Sequence, residues 1–204
     1  MSYPNARTSG RSPATRAIAE LLIIFIGVTA AFLLQGYQEE RDRADGLREA
    51  TEGIITELAR CQTRSLEHAD SIAARIGRWK AADARGERAV PGYYRIPGAP
   101  RPPTAAWGAA VSSGVANQFD AALRLELGYF YTELAGIHEN CVRYLAFMER
   151  EVLARAEIGP QGFYDSSGRL LPEFRVQMQL LGEFGDQLSA LAATAASLRS
   201  RLVP

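Results

Sequence analysis

Four side chains have the types that nucleophilic or metal chemistry requires: Cys61, His68, His138 and Cys141, the only cysteines and histidines of the chain. A Cys/His set is the donor chemistry of zinc. A cysteine beside an imidazole is that of a thiolate nucleophile and its base. Spacing argues against both. Cys61 and His68 lie seven positions apart, about 10.5 Å along a helix, too far to share one ion. His138 and Cys141 fall on one turn, but two ligands do not make a site. Both cysteines sit on apolar stripes, where a thiol behaves as a small hydrophobe. Glu149 and Glu151 read as charges on a solvated helix face. No Gly-rich phosphate loop, HExxH or GxSxG pattern is present. The expectation is a protein that is not an enzyme, with no metal and no cofactor.

Two thiols in an oxidising compartment can instead bridge. Cys61 is central in an apolar stripe over 47–79 and Cys141 in another over 123–152. If those helices run antiparallel, their midpoints meet, within the 4.4–6.8 Å Cα separation a disulfide allows. A bridge closing a loop of about 80 residues is worth roughly 4 kcal/mol in the chain-entropy model. A Cys61–Cys141 disulfide is therefore expected.

The elements that position these residues read as helices. Leu47, Ile54, Leu58, Cys61, Ser65, His68, Ile72, Ile76 and Trp79 recur at spacings of three and four, with acids and arginines (Glu57 among them) assigned to the other faces. A loop over 84–103 follows, rich in Pro and Gly, with Tyr93, Tyr94 and Ile96 folding back onto the domain. Thr104 caps a short helix, Ala105 to Ser113, stopped by Gly114. Asn117 with Asp120 resembles a capping box opening a helix that runs to about Glu157. After a loop over 158–171, Pro172 opens the last helix. The fold class expected is all-α. A transmembrane helix continues into an antiparallel bundle of three long helices and one short one.

The N-terminal part carries the localisation. Residues 1–16 hold Arg7, Arg11 and Arg16 and no acid, as in a basic disordered tail. Residues 17–37 follow as a transmembrane helix, with no charge between Leu21 and Leu34. With its flanks the segment reaches the roughly 20 residues that 30 Å of hydrocarbon needs. Tyr37 stands where an interfacial aromatic belongs. A cleaved signal peptide at Val28-Thr29-Ala30 and a buried core helix are weaker alternatives, because the apolar run passes unbroken into a helical pattern. Arginine placement, with Glu39, Glu40, Asp42 and Asp45 on the far side, puts the N-terminus in the cytoplasm. Residues 38–204 then form a periplasmic domain at the bacterial inner membrane. Glu20, Gly27, Ala31 and Gln35 share one face of the anchor. The Gly27/Ala31 pair allows close backbone approach between membrane helices.

ELLIIFIGVTAAFLLQGYQEER (Glu20 to Arg41), followed by a long helix, resembles the start of an uncharacterised bacterial family of single-pass membrane proteins. Trp107, Ser112, Ser113, Gly114, Leu123, Leu127 and Tyr129 are similar to that family's aromatic-then-Ser-Gly turn and the helix after it. The resemblance implies an uncleaved anchor and an extracytoplasmic helical domain, and no activity. Lys+Arg and Asp+Glu are 23 each, so charge gives no case for nucleic acid. The partners expected are the lipid bilayer and either a second copy or another membrane protein. The function expected is a tethered periplasmic interaction or scaffold module. The alternative is a ligand-sensing bundle that signals through a membrane partner.

Overall fold

The structure, a computed structural model, describes residues 13–93 and 101–203, and among these not the side chains of 13–20, 23, 24 and 156. Over that range the chain is helical, as the periodicity predicts: α1 (Pro13–Ala84), α2 (Ala105–Ser112), α3 (Ala121–Phe147), α4 (Ala154–Ala156) and α5 (Pro172–Leu202). A π-helical stretch, Met148–Leu153, joins α3 to α4. The long helix predicted to end near Glu157 is therefore present, but widens by one residue per turn before it stops.

Local chemistry sets the boundaries. Gly114, at φ 78°, takes the left-handed conformation that ends α2. Pro172 occupies the first turn of α5, where its missing N–H costs no hydrogen bond. Asp120 caps α3, its carboxylate accepting from the amides of Ala122 (3.0 Å) and Leu123 (3.2 Å). The expected capping box is corrected here. Asn117 lies in a 3-10 turn, Val115–Gln118, and its Oδ1 accepts from Arg124 Nη1.

The chain forms two compact units, Met1–Gly46 and Leu47–Pro204, and α1 contributes to both. In the first, helix already begins at Pro13, inside the stretch expected as a disordered tail; residues 1–12 lie outside the described ones. The expected membrane crossing at 17–37 falls partly on side chains outside the described ones. Among the described residues no helix is long and apolar enough to cross a membrane. The described apolar side chains begin at Leu21 and end at Leu34, and Gln35, Gln38, Glu39, Glu40 and Arg41 follow. The described part of that run is, by itself, shorter than the roughly 20 residues a crossing needs. Gly27 and Ala31 are exposed, with no atom within 4 Å of where a Gly27 Cβ would be. Gln35 Nε2 donates to Glu39 Oε1 at 3.0 Å. The Glu20 side chain lies outside the described ones.

The second unit is a helical bundle whose core is built from the predicted stripes: Ile54, Leu58, Cys61 and Ile72 of α1; Leu127, Phe130, Leu134 and Ile137 of α3; Leu181, Leu188, Leu191, Ala195 and Leu198 of α5. Each fully buried Leu, Ile or Phe contributes about 1.5–3 kcal/mol. The expected antiparallel order holds only in part. Arg201 pairs with Glu126 and Gln177 with Met148, so α5 runs antiparallel to α3. Ile72 meets Gly185 and Ile76 meets Gly182, so α5 also runs antiparallel to α1. Glu57 meets Tyr131 and, further along, Trp79 meets Tyr164 beyond the end of α3. Hence α1 and α3 are parallel. Two parallel helices need a connection that returns along the bundle, and the Pro-rich segment supplies it. Tyr93 packs on the cluster around Phe163 and Phe174, Pro102 and Pro103 lie beside Cys61 and His68, and Ala106 reaches Gly53. Tyr94 and Ile96, expected to fold back with Tyr93, lie outside the described residues.

Candidate functional site

Three places in the second unit gather polar chemistry. The first is the seam between α1, α2 and α3. Glu57 is only 8% exposed. Its Oε1 accepts from the Ala106 amide at 2.7 Å; its Oε2 accepts from the Trp107 amide at 3.4 Å and the Tyr131 hydroxyl at 2.8 Å. The first amides of α2 are thus capped from another helix, while the adjacent Thr104 makes no side-chain cap. The Trp107 and Tyr131 rings stack at 5.4 Å, 1° from parallel. Burial first, then the hydrogen bond and charge of Glu57, push the Tyr131 hydroxyl well above its ordinary value, so it remains the donor. Every acceptor is used within the fold, which makes this a structural seam.

The second place is a cavity of about 100 Å³ lined by Cys61, Ser65 and His68 of α1, His138 and Cys141 of α3, and residues of α5 and of the returning segment. The fold does bring together the four side chains singled out by type. It does not join them as expected. Cys61 and Cys141 are free, buried thiols. Only antiparallel helices would bring the two stripe midpoints together. In the parallel arrangement, the partner of Cys61 Sγ is Ser65 Oγ, one turn away at 3.9 Å. Burial raises both thiols above their ordinary values, for Cys61 against a smaller opposing effect of Ser65. Burial also lowers His68, with Glu67 opposing and Arg64 reinforcing. A nucleophilic cysteine needs the opposite environment. Among the described residues no group of three or more His, Cys, Asp or Glu side chains could hold a metal ion.

The third place is a groove of about 680 Å³ between α3 and α5, the size of a small-molecule site. Its floor is apolar: Tyr144 and Phe147 from α3, Val176, Leu180 and Phe184 from α5. Val176 and Leu180 are more than half exposed. The π-helical stretch begins directly after Phe147, and such stretches recur at functional sites. Polar groups divide by side. Arg143 stands on the α3 rim and donates to Asn140. On the α5 rim, Glu173 pairs with Arg155 and Glu183 accepts from Gln179. Gln177 lines the groove although only 6% exposed. Its Nε2 donates to the Met148 sulfur at 3.7 Å, and its Oε1 has no hydrogen-bond partner among the described residues.

Sequence reasoning placed Glu57 on a solvated face and gave Gln177 and Arg143 no role. Spacing carried a signal for two of them. Glu57 follows Ile54 by three and precedes Cys61 by four; Gln177 follows Phe174 by three and precedes Leu181 by four. A polar residue in phase with a core stripe is a buried one. Compared with known proteins, the chain matches no family model, no curated protein and no solved structure.

Proposed function

We propose that this protein is a membrane-anchored interaction module without catalytic activity, its anchor at 17–37 crossing the bacterial inner membrane and its second unit acting in the periplasm. One observation carries the reading. Leu21, Leu22, Phe25, Ile26, Phe32, Leu33, Leu34 and Tyr37 are each between 55% and 71% exposed. They spread over more than half of the circumference of α1, and so broad an exposed apolar surface requires lipid or protein around it. The first described apolar residue is Leu21, and Ala17, Ile18 and Ala19 extend the run in sequence. That brings it to the length a bilayer requires. The arginines before it favour a cytoplasmic N-terminus, and the resemblance of Glu20–Arg41 to a single-pass family points the same way. The raised thiols of Cys61 and Cys141 speak for a structural role of those groups.

A reporter fused after Pro204 tests both parts. Activity is expected from a reporter that folds only in the periplasm, in a fraction that resists alkaline extraction and is released by detergent. Cytoplasmic reporter activity overturns the orientation. Release by alkali overturns the anchor. A second reading, a ligand-sensing bundle signalling through a membrane partner, is favoured by the groove between α3 and α5, whose size suits a small molecule.

A further inference from the structure

The groove between α3 and α5 has the layout of half an interface, an apolar floor inside a charged rim. Val176 and Leu180 stand more than half exposed along it. The charges divide by helix: Arg143 lies on α3 and Glu183 on α5, both exposed. Arg201 pairs with Glu126 and Gln177 with Met148. That register sets Arg143 level with Glu183, and Phe147 level with the turn from Val176 to Leu180. Arg143 and Glu183 do not pair across the groove. Arg143 donates to Asn140 and Glu183 accepts from Gln179, each on its own helix. Neither has an ion-pair partner among the described residues.

Opposite charges at one level on two antiparallel helices make a surface complementary to itself. A two-fold axis along the helices exchanges the two sides of the groove without changing level, so α3 of one copy lies on α5 of the other. Arg143 then meets Glu183 of the second copy, and Val176 and Leu180 cover Phe147 of the second copy. Each contact occurs twice, as an isologous interface requires. A two-fold across the helices would instead lay α3 on α3 and α5 on α5. It would bring Glu173 and Glu183 of one copy toward those of the other, and like charges face to face repel.

We infer that the groove is occupied by a second copy of this chain, in a two-fold dimer of parallel bundles closed by two Arg143–Glu183 pairs over a shared apolar floor. A copy seated there closes the groove to a small molecule, so the dimer belongs with the interaction module rather than with the ligand-sensing bundle. It leaves both Leu47 ends on the same side, as two chains held in one membrane need. The contacts lie within the second unit and stand whether or not residues 17–37 cross a membrane.

Energy transfer between full chains carrying donor or acceptor fluorophores after Pro204, diluted in detergent micelles in excess over protein, tests it. The parent should associate saturably as a dimer. Arg143→Glu places two like-charged pairs in that dimer, as does Glu183→Arg. Each variant should self-associate about tenfold more weakly than the parent, or worse. Mixed with one another, the two variants restore opposite charges at both contacts, and their association should return to within about threefold of the parent. Leu180→Asp should weaken association in every combination. All three positions are exposed, so the variants should keep the helical circular dichroism of the parent. A parent that stays monomeric overturns the inference and leaves the groove to another occupant. A mixture that associates no better than either variant alone also overturns it, the result expected if residues 17–37 alone hold two chains together. Release of the chain by alkali, which overturns the anchor, leaves these outcomes unchanged.

Discussion

Glu57 and Tyr131, 74 positions apart, meet at 2.8 Å across the seam between α1 and α3. The same carboxylate caps α2 through the amides of Ala106 and Trp107. One side chain therefore fastens three helices. Glu57→Ala strands two amides and a hydroxyl out of water and should cost about 3 kcal/mol or more, because each buried unsatisfied group costs about 1–3 kcal/mol. Glu57→Gln keeps one acceptor and should cost less. Urea unfolding followed by circular dichroism gives both values, and hydrogen exchange should show α2 opening first. Equal stability of Glu57→Ala and the parent would contradict the capping role.

The two thiols should be slow to react. Burial raises both above their ordinary values, so little thiolate exists at neutral pH. Alkylation of the native protein should be much slower than that of a free thiol, and both cysteines should label fully once the chain is unfolded. No modified thiol on the monomeric chain after unfolding without reductant would show that a bridge forms after all.

Asp165 holds the turn before α5. Hydrogen bonds from Ser167 and Arg169 outweigh the small opposing effect of burial and draw its carboxyl down to about 2. A depressed folded value means the turn gains from ionisation. That gain is complete above the ordinary carboxylate value and is lost as pH falls through about 2. An NMR titration of the Ser167 and Arg169 amides should therefore show the turn intact at pH 4 and released near pH 2. A midpoint near 4 would remove the hydrogen-bonding account.

Glycines on α3 and α5 should respond in opposite directions. A Cβ at Gly185 lies 3.2 Å from Ile72 Cγ2, where α1 and α5 cross closely. Gly185→Leu should destabilise by roughly 1–3 kcal/mol through overpacking. Gly136 faces open space within α3, and Gly136→Ala should stabilise by about 0.5–1 kcal/mol through backbone entropy. Thermal melts of the two variants against the parent check the signs.

Helix positions were legible because they rest on local chemistry. Gly114 and Pro172 mark ends that those residues favour, and the stripes of α1, α3 and α5 are the core. Direction was not legible. Periodicity says which face is buried but not whether Leu58 and Leu134 lie on parallel or opposed helices. The parallel pairing follows from a segment, 85–104, that has no periodicity to read. The Cys61–Cys141 bridge failed on that point. Composition singled out the four side chains of the Cys61–Cys141 cavity but spacing set them apart, and the groove was missed because its lining residues come together only when α3 and α5 pack.

The parallel course of α1 and α3 also fixes the order in which the second unit can close. In a bundle of successive hairpins, each new helix covers the one before it. Here the first long helix has no antiparallel neighbour next to it in sequence, and its apolar stripe meets Gly182 and Gly185 only when α5 has been made. The closing contacts that are local in sequence belong to α3 and α5, and short loops close faster than long ones. During synthesis Ile72 and Ile76 wait for their partners on α5, an interval in which a chaperone or a neighbouring nascent chain competes for that end of the stripe.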